Sequence, residues 1–198
     1  LPPLDIDASF SDLFSNLNFA AFFHTEFHVD KWAFVIDPMY VSLEMHATLP
    51  PALPGTTSPK VDVDIWLVEA WASYQVSQMW ELLGGARYQS QDIGVKDLPN
   101  PPLPPERAIS QNWTDWFIGT RLHADINENW LFTWRADVVI AGDSDTSWNT
   151  SVFFNRRIGQ SMALNLGYRY FVDDFDKPGE YRWDVTQQGP VIGYTWAF

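Results

Sequence analysis

From residue 18 to its last residue, this chain alternates apolar and polar side chains with a period of two. That period puts successive side chains on opposite faces of an extended strand. Phe19, Ala21, Phe23, Thr25, Phe27 and Val29 share one face, against His24, Glu26 and His28 on the other. Trp116, Ile118, Leu122, Ala124 and Ile126 oppose Asp115, Arg121, His123 and Asp125, and Trp130, Phe132, Trp134, Ala136, Val138 and Ile140 oppose Thr133, Arg135 and Asp137. Leu164, Leu166, Tyr168, Tyr170 and Val172 oppose Asn165, Gly167, Arg169 and Asp173 in the same way. Nine strands are predicted, over 18–29, 31–48, 60–76, 80–95, 114–127, 130–142, 147–158, 162–175 and 181–198.

A strand with a wholly apolar face and a charged second face fits a soluble sheet or, inverted, a barrel with lipid outside and a polar lumen. The aromatic content decides between them: 11 Trp, 7 Tyr and 14 Phe are more rings than one small soluble core accommodates. Girdles at two membrane interfaces would use them. The predicted connections also come in two sizes. Short ones fall at Asp30, 77–79, 127–129 and 159–161, and longer ones at 49–59, 96–113, 143–146 and 176–180. This alternation matches short periplasmic turns and longer outer loops. The 96–113 connection carries Pro99, Pro101, Pro102, Pro104 and Pro105, a composition for stiff extended chain.

Two strands break the pattern. Asp37 lies on the parity opposite to Tyr40, Ser42, Glu44 and His46, and a bulge at Asp37–Pro38 would restore the alternation. Asp62 and Asp64 are opposite in parity to Glu69, which calls for another bulge or an extension beyond the membrane.

Other classes are excluded. No apolar run reaches the roughly 18 residues of a transmembrane helix. A net charge of −13 argues against nucleic acid, which needs clustered Lys and Arg. With no cysteine there is no disulfide, thiolate metal site or Cys nucleophile. The opening LPPLDIDAS lacks the basic start and apolar core of a signal peptide, so an exported protein would be a processed or trimmed form.

The final strand sets Ile192, Tyr194, Trp196 and Phe198 on one face, closing on an aromatic residue. That ending is similar to the signature by which outer-membrane β-barrels are recognised for insertion. Together with DIDASFSDLFSNLNFAAFFH, KWAFVIDPMYVSLE, the GARY segment and DVTQQGPVIGYTWAF, it resembles a largely uncharacterised family of proteobacterial outer-membrane barrel proteins. The resemblance implies a Gram-negative outer-membrane location, a lipid bilayer as surroundings and the outer-membrane assembly machinery as a partner during insertion. It also implies a strand ahead of the SFSDL segment, which this chain lacks.

Nine crossings would leave the two ends on opposite sides, whereas bacterial single-chain barrels have even strand numbers. The expected fold is therefore all-β, an antiparallel transmembrane β-barrel of 8–10 strands. Ten strands with the first missing or degenerate is preferred over eight with merged hairpins. Residues 1–17 form an N-terminal segment with a short helix capped at Ser9 or Ser11, and residues 18–198 the barrel.

The polar parity collects His24, Glu26, His28, Glu44, His46, Arg87, Arg121, His123, Asp125, Arg135, Asp137 and Arg169 as a lumen network. Gly85-Ala-Arg87, Gly119-Thr-Arg121 and Gly167-Tyr-Arg169 share a local design in which a small residue leaves room for a long arginine. Small barrels are filled by their own side chains, and buried charges persist when paired. The expected role is therefore structural or that of a small pore, without catalysis, cofactor or metal, and with the outer loops as a possible protein-binding surface. Three alternatives stand beside it. His24, Glu26 and His28, with Glu44 and His46, have the residue types for a metal site. Ser42, Glu44 and His46 have those of a hydrolase acting on lipid or peptide, although one strand cannot close that geometry. A soluble lipocalin-like barrel would need Arg121, Arg135 and Arg169 in solvent and every Trp inside.

Overall fold

The computed structural model describes residues 16–46, 60–96, 106–178 and 181–197. Ten strands form one sheet: β1 (Leu17–Phe22), β2 (Thr25–Val29), β3 (Trp32–His46), β4 (Lys60–Gln75), β5 (Trp80–Lys96), β6 (Glu106–Asn127), β7 (Trp130–Gly142), β8 (Thr146–Ile158), β9 (Met162–Lys177) and β10 (Tyr181–Trp196). The order is β1-β3-β4-β5-β6-β7-β8-β9-β10, with β2 also pairing β3. Among the described residues there is no helix. The expected N-terminal helix lies outside them, as do Phe198 and the 49–59 loop.

The tenth strand arises because the predicted first strand, 18–29, is cut into β1 and β2; a strand ahead of the SFSDL segment falls outside the described residues. Phe22↔Met39 and Thr25↔Ile36 belong to one register on β3. Between them the Phe23 amide donates to the Pro38 carbonyl at 3.0 Å. Proline has no N–H to return the second bond of that pair, and the ladder lapses for two residues. The unbroken register also means that β3 has no bulge at Asp37–Pro38. The irregularity is in β1, between Leu17 and Phe19.

β6 begins eight residues before the predicted 114, and the preceding connection shrinks accordingly to 97–105. The added stretch continues the alternation up to the buried Trp113. The turns are locally encoded. Asp30 takes a left-handed conformation with φ 54°, which Asp tolerates better than most residues. The Ser77 hydroxyl accepts from the Trp80 amide at 3.1 Å, and the Asn127 side chain accepts from the Asn129 amide at 2.9 Å.

The chain divides into two compact units. One comprises Leu1–His24, Asp37–Val68 and Tyr88–Trp113, and the other Thr25–Ile36, Glu69–Arg87 and Thr114–Phe198. The described part of the first unit leaves both ions and rings exposed, among them Phe19, Phe22, Phe23 and Trp66. Its buried parity is largely apolar, with Met39, Leu43, Val61, Val63, Ile65, Leu67 and Trp113. Its other parity carries ions: Lys60 pairs Glu44 at 2.8 Å, and Lys96 pairs Asp62 at 2.7 Å. The hydrogen bond from Lys96 holds the Asp62 carboxyl below the usual carboxylate range against the cost of burial, with help from the charge of Lys60. β4 alternates without interruption from Val61 to Ser73, so no bulge separates Asp62 and Asp64 from Glu69. The aspartates lie on the outward parity, followed along the strand by Trp66 and Tyr74.

The second unit has the opposite polarity. Its exposed parity presents Phe34, Trp116, Ile118, Ile140, Trp148, Phe154, Tyr168, Ile192 and Trp196, and its buried parity carries the charges. The sheet of this unit curls on itself, because side chains several strands apart touch, as Glu26 of β2 and Arg121 of β6 do at 2.6 Å.

Tight strand approaches accompany this curl. A Cβ on Gly119 would lie 2.2 Å from the Ala136 carbonyl oxygen and 2.7 Å from the Asp137 Cβ, and one on Gly85 2.4 Å from the Trp71 Cβ. One on Gly167 would lie 2.3 Å from the Phe153 ring. These glycines make room for the neighbouring strand. Gly119→Ala is expected to destabilise by about 1–3 kcal/mol through overpacking. In the same denaturant titration Gly94→Ala should be near neutral, since its nearest contact is an ordinary 4.0 Å.

Candidate functional site

Within the second unit, four arginines and three aromatic rings form an alternating column. The Arg121 guanidinium carbon lies 4.9 Å from the Trp71 ring, and that of Arg135 lies 4.8 Å from the same ring. Arg135 also lies 5.4 Å from Phe117, and Arg87 lies 5.0 Å from Phe117 and 4.7 Å from Phe171. Arg169 completes the series at 5.3 Å from Phe171. Cation–π contacts are strongest where water is excluded, and Arg87 is 0% exposed. Trp71 and Phe117 also pack with Val35 and Leu83, joining the column to the apolar core of this unit.

Carboxylates brace the column from the side. Arg87 donates through Nε to Glu69 Oε1 at 2.7 Å, through Nη2 to Asp137 Oδ1 at 2.6 Å and through Nη1 to the Ser147 hydroxyl at 3.1 Å. Arg135 donates to Glu69 Oε2 at 2.9 Å and pairs Asp137 Oδ2 at 2.9 Å. Asn149 donates to Asp137 at 3.0 Å and accepts from Arg169 Nε at 2.8 Å. Glu69 is thus shared by three guanidiniums, with Arg169 Nη2 at 3.6 Å.

The other end of the column is a second cluster. Arg121 grips both oxygens of Glu26, at 2.9 and 2.6 Å, and donates to Glu81 at 2.9 and 2.7 Å. Ser73 donates to the same Glu81 oxygen at 2.7 Å. His28 approaches Glu26 at 3.1 Å and His123 approaches Glu81 at 3.5 Å.

Of the residues singled out from sequence, Glu26, His28, Arg87, Arg121, His123, Arg135, Asp137 and Arg169 lie in or beside these clusters. His24 is bonded to Asp37 at 2.5 Å in the first unit. Glu44 lies on the parity opposite to Met39 and Leu43 and pairs Lys60, outside the network. Asp125 is exposed and pairs Arg157 at 2.6 Å. The side chain of His46 lies outside the described residues. His28 meets Glu26 at 3.1 Å, while His24 is bonded to Asp37 and Glu26 is also held by Arg121. Among the described residues no group of three or more His, Asp or Glu is placed to hold a metal ion. Ile192, Tyr194 and Trp196 are exposed along β10. With Arg121 buried and Trp32, Trp66, Trp80, Trp116, Trp148 and Trp196 exposed, the arrangement is the reverse of what a lipocalin requires.

Sequence reasoning missed Glu69, Glu81, Trp71, Phe117 and Phe171. Glu69 enters the sequence reading only through its parity, opposite to Asp62 and Asp64, although it stands among Val61, Val63, Ile65, Leu67 and Trp71 on the buried parity of β4. The available signal was that lone carboxylate, which cannot stay buried without a cation.

No protein-family model matches this chain, and neither does any curated protein. Among solved structures, the open form of the ferric-catecholate import receptor Fiu from E. coli K12 is similar over 89% of this chain, with 12% identity and a TM-score of 0.32. The match takes in 35% of the receptor, so this chain spans well under half of that protein's length.

Proposed function

We propose that this protein is a bacterial outer-membrane β-barrel with a structural or small-pore role, its interior filled by the Arg/Glu/Asp network. The observation that carries the reading is the polarity of the second unit, which buries Arg87, Arg121, Glu69 and Asp137 while exposing a continuous set of tryptophans, phenylalanines and isoleucines. Soluble monomers rarely expose large contiguous apolar patches. Against lipid such a surface is the expected one of a barrel. Asp62 and Asp64, ahead of Trp66 on the same parity of β4, would then extend beyond the hydrocarbon. The partners are the bilayer and, during insertion, the assembly machinery, with the acidic outer loops free to meet another protein.

Purification tests this reading. The protein should stay in solution only with detergent and migrate differently on gels before and after heating. A monodisperse, water-soluble monomer would overturn the proposal. In a planar bilayer, sustained current steps would assign a pore, and silence a purely structural role with the column as a plug.

A further inference from the structure

We infer that the outward face of the second unit seats one acyl chain of a zwitterionic phospholipid, an inference that rests on the membrane reading and adds a specific ligand to it. The seat is an apolar groove of about 480 Å³, within the roughly 300–1,000 Å³ of small-molecule sites. β4 and β5 lie side by side in the sheet, between β3 and β6. On their outward parity Ala70, Ala72, Gly84 and Ala86 form the floor. Phe27, Phe34 and Ile36 stand along the β3 side and Trp116 along the β6 side, each about half exposed. Strand packing does not demand so small a floor. Gly85, on the inward parity, has no room for a side chain, since a Cβ there would lie 2.3 Å from the Ala70 carbonyl oxygen. A Cβ on Gly84 would make only ordinary contacts, 3.5 Å to the Phe117 carbonyl oxygen and 3.8 Å to an Ile118 methyl. A barrel wall needs apolar residues toward lipid, not small ones, so the trough belongs to this patch and not to the strand geometry.

One end of the groove says what fills it. The β3 wall continues from Phe34 to Trp32, whose rings are stacked at 6.4 Å, and the β4 floor continues from Ala72 to Tyr74. Trp32 and Tyr74 meet there at 5.0 Å. Trp and Tyr take the level of lipid headgroups, so the groove leads from that level into the hydrocarbon, the path of a chain that hangs from a headgroup. Next to Tyr74, the Gln75 amide donates to the Lys31 carbonyl at 2.9 Å. The turn at this end therefore carries one exposed cation and one exposed anion, Lys31 and Asp30, and the 76–79 turn beside it is uncharged. A headgroup with one phosphate and one ammonium matches that pair. A phosphate alone would leave Asp30 opposed by a like charge.

The probe is phosphatidylethanolamine with a diazirine in one acyl chain, a trace component of phosphatidylglycerol vesicles that hold the whole chain. After photolysis, peptide mapping should find several-fold more label on Ala70, Ala72 and Ala86 than on Phe154 and Tyr168, which are exposed on the same unit outside the groove. Gly84→Phe fills the floor and should bring the label down to the level of those two residues. Ala72→Leu fills it from the adjoining strand and serves if the first variant does not insert. Phosphatidylglycerol with the same diazirine should label the groove less, and equal labelling by the two lipids would overturn the zwitterionic ligand. Even labelling of the whole outward face, or a groove left unlabelled because a second copy covers it, would overturn the seat. A chain that stays out of the vesicles fails the membrane reading and the groove with it, whereas one that inserts and labels evenly fails the groove alone.

Discussion

Replacing Arg87 with methionine is expected to cost about 3–5 kcal/mol of stability, the usual result of removing one partner from a buried ion pair. The substitution preserves much of the side-chain volume, so the loss falls on electrostatics more than on packing. Glu69 and Asp137 would each lose their shortest contact, at 2.7 and 2.6 Å, and would rely on Arg135 at 2.9 Å. Equilibrium unfolding in urea reads the change. The double variant Arg87→Met/Glu69→Gln should lose less than the sum of its single variants, because the second change removes a carboxylate that the first left exposed to desolvation. Additivity, or a single-variant cost below about 1 kcal/mol, the scale of an exposed pair, would mean that the network does not hold the interior together.

The second large effect concerns the opposite face. Ile118 is 50% exposed between β5 and β7, and Ile118→Arg should cost about 2–4 kcal/mol in a bilayer, as cations do on the lipid face of a barrel. On a water-facing sheet the same change would fall within about 0.5 kcal/mol. Ser110→Arg, at an exposed position in the first unit, supplies the comparison and should be close to neutral. Folding into vesicles followed by urea titration separates the cases. Equal, negligible costs at both sites would refute a lipid-facing surface.

The strands were legible because period-two alternation is a local property. The bounds of β7, Trp130–Gly142, coincide with those expected from sequence, and most others lie within two residues. Even the irregularity at Asp37–Pro38 was visible, though its physical meaning was not. A parity argument asks for an extra residue, whereas the structure has a missing donor. The network was legible only in part. Arg87, Arg135 and Asp137 stand out on polar faces, but their ring partners Phe117 and Phe171 share those faces and are apolar. Contact between β4 and β9 depends on how the sheet curls within the second unit, which no single strand records. The parity of Glu44 was misjudged for a related reason. In the first unit the apolar parity turns inward, so a charged residue there belongs outside.

The arginine–aromatic column also bears on kinetics. Some of its bonds, such as Arg87 to Glu69 and Asn149 to Asp137, lie within a single hairpin, but three join residues 95, 66 and 60 positions apart in sequence, between Glu26 and Arg121, Glu69 and Arg135, and Arg87 and Ser147. Those three must wait for strands that are not neighbours in sequence to assemble. Contacts of such separation are slow to make, since loop closure must be met before they contribute. The set of bonds that bridges distant strands therefore belongs to a late stage of folding, and its stabilisation appears in the unfolding rate. It acts as a latch that closes late and then keeps an assembled protein from coming apart.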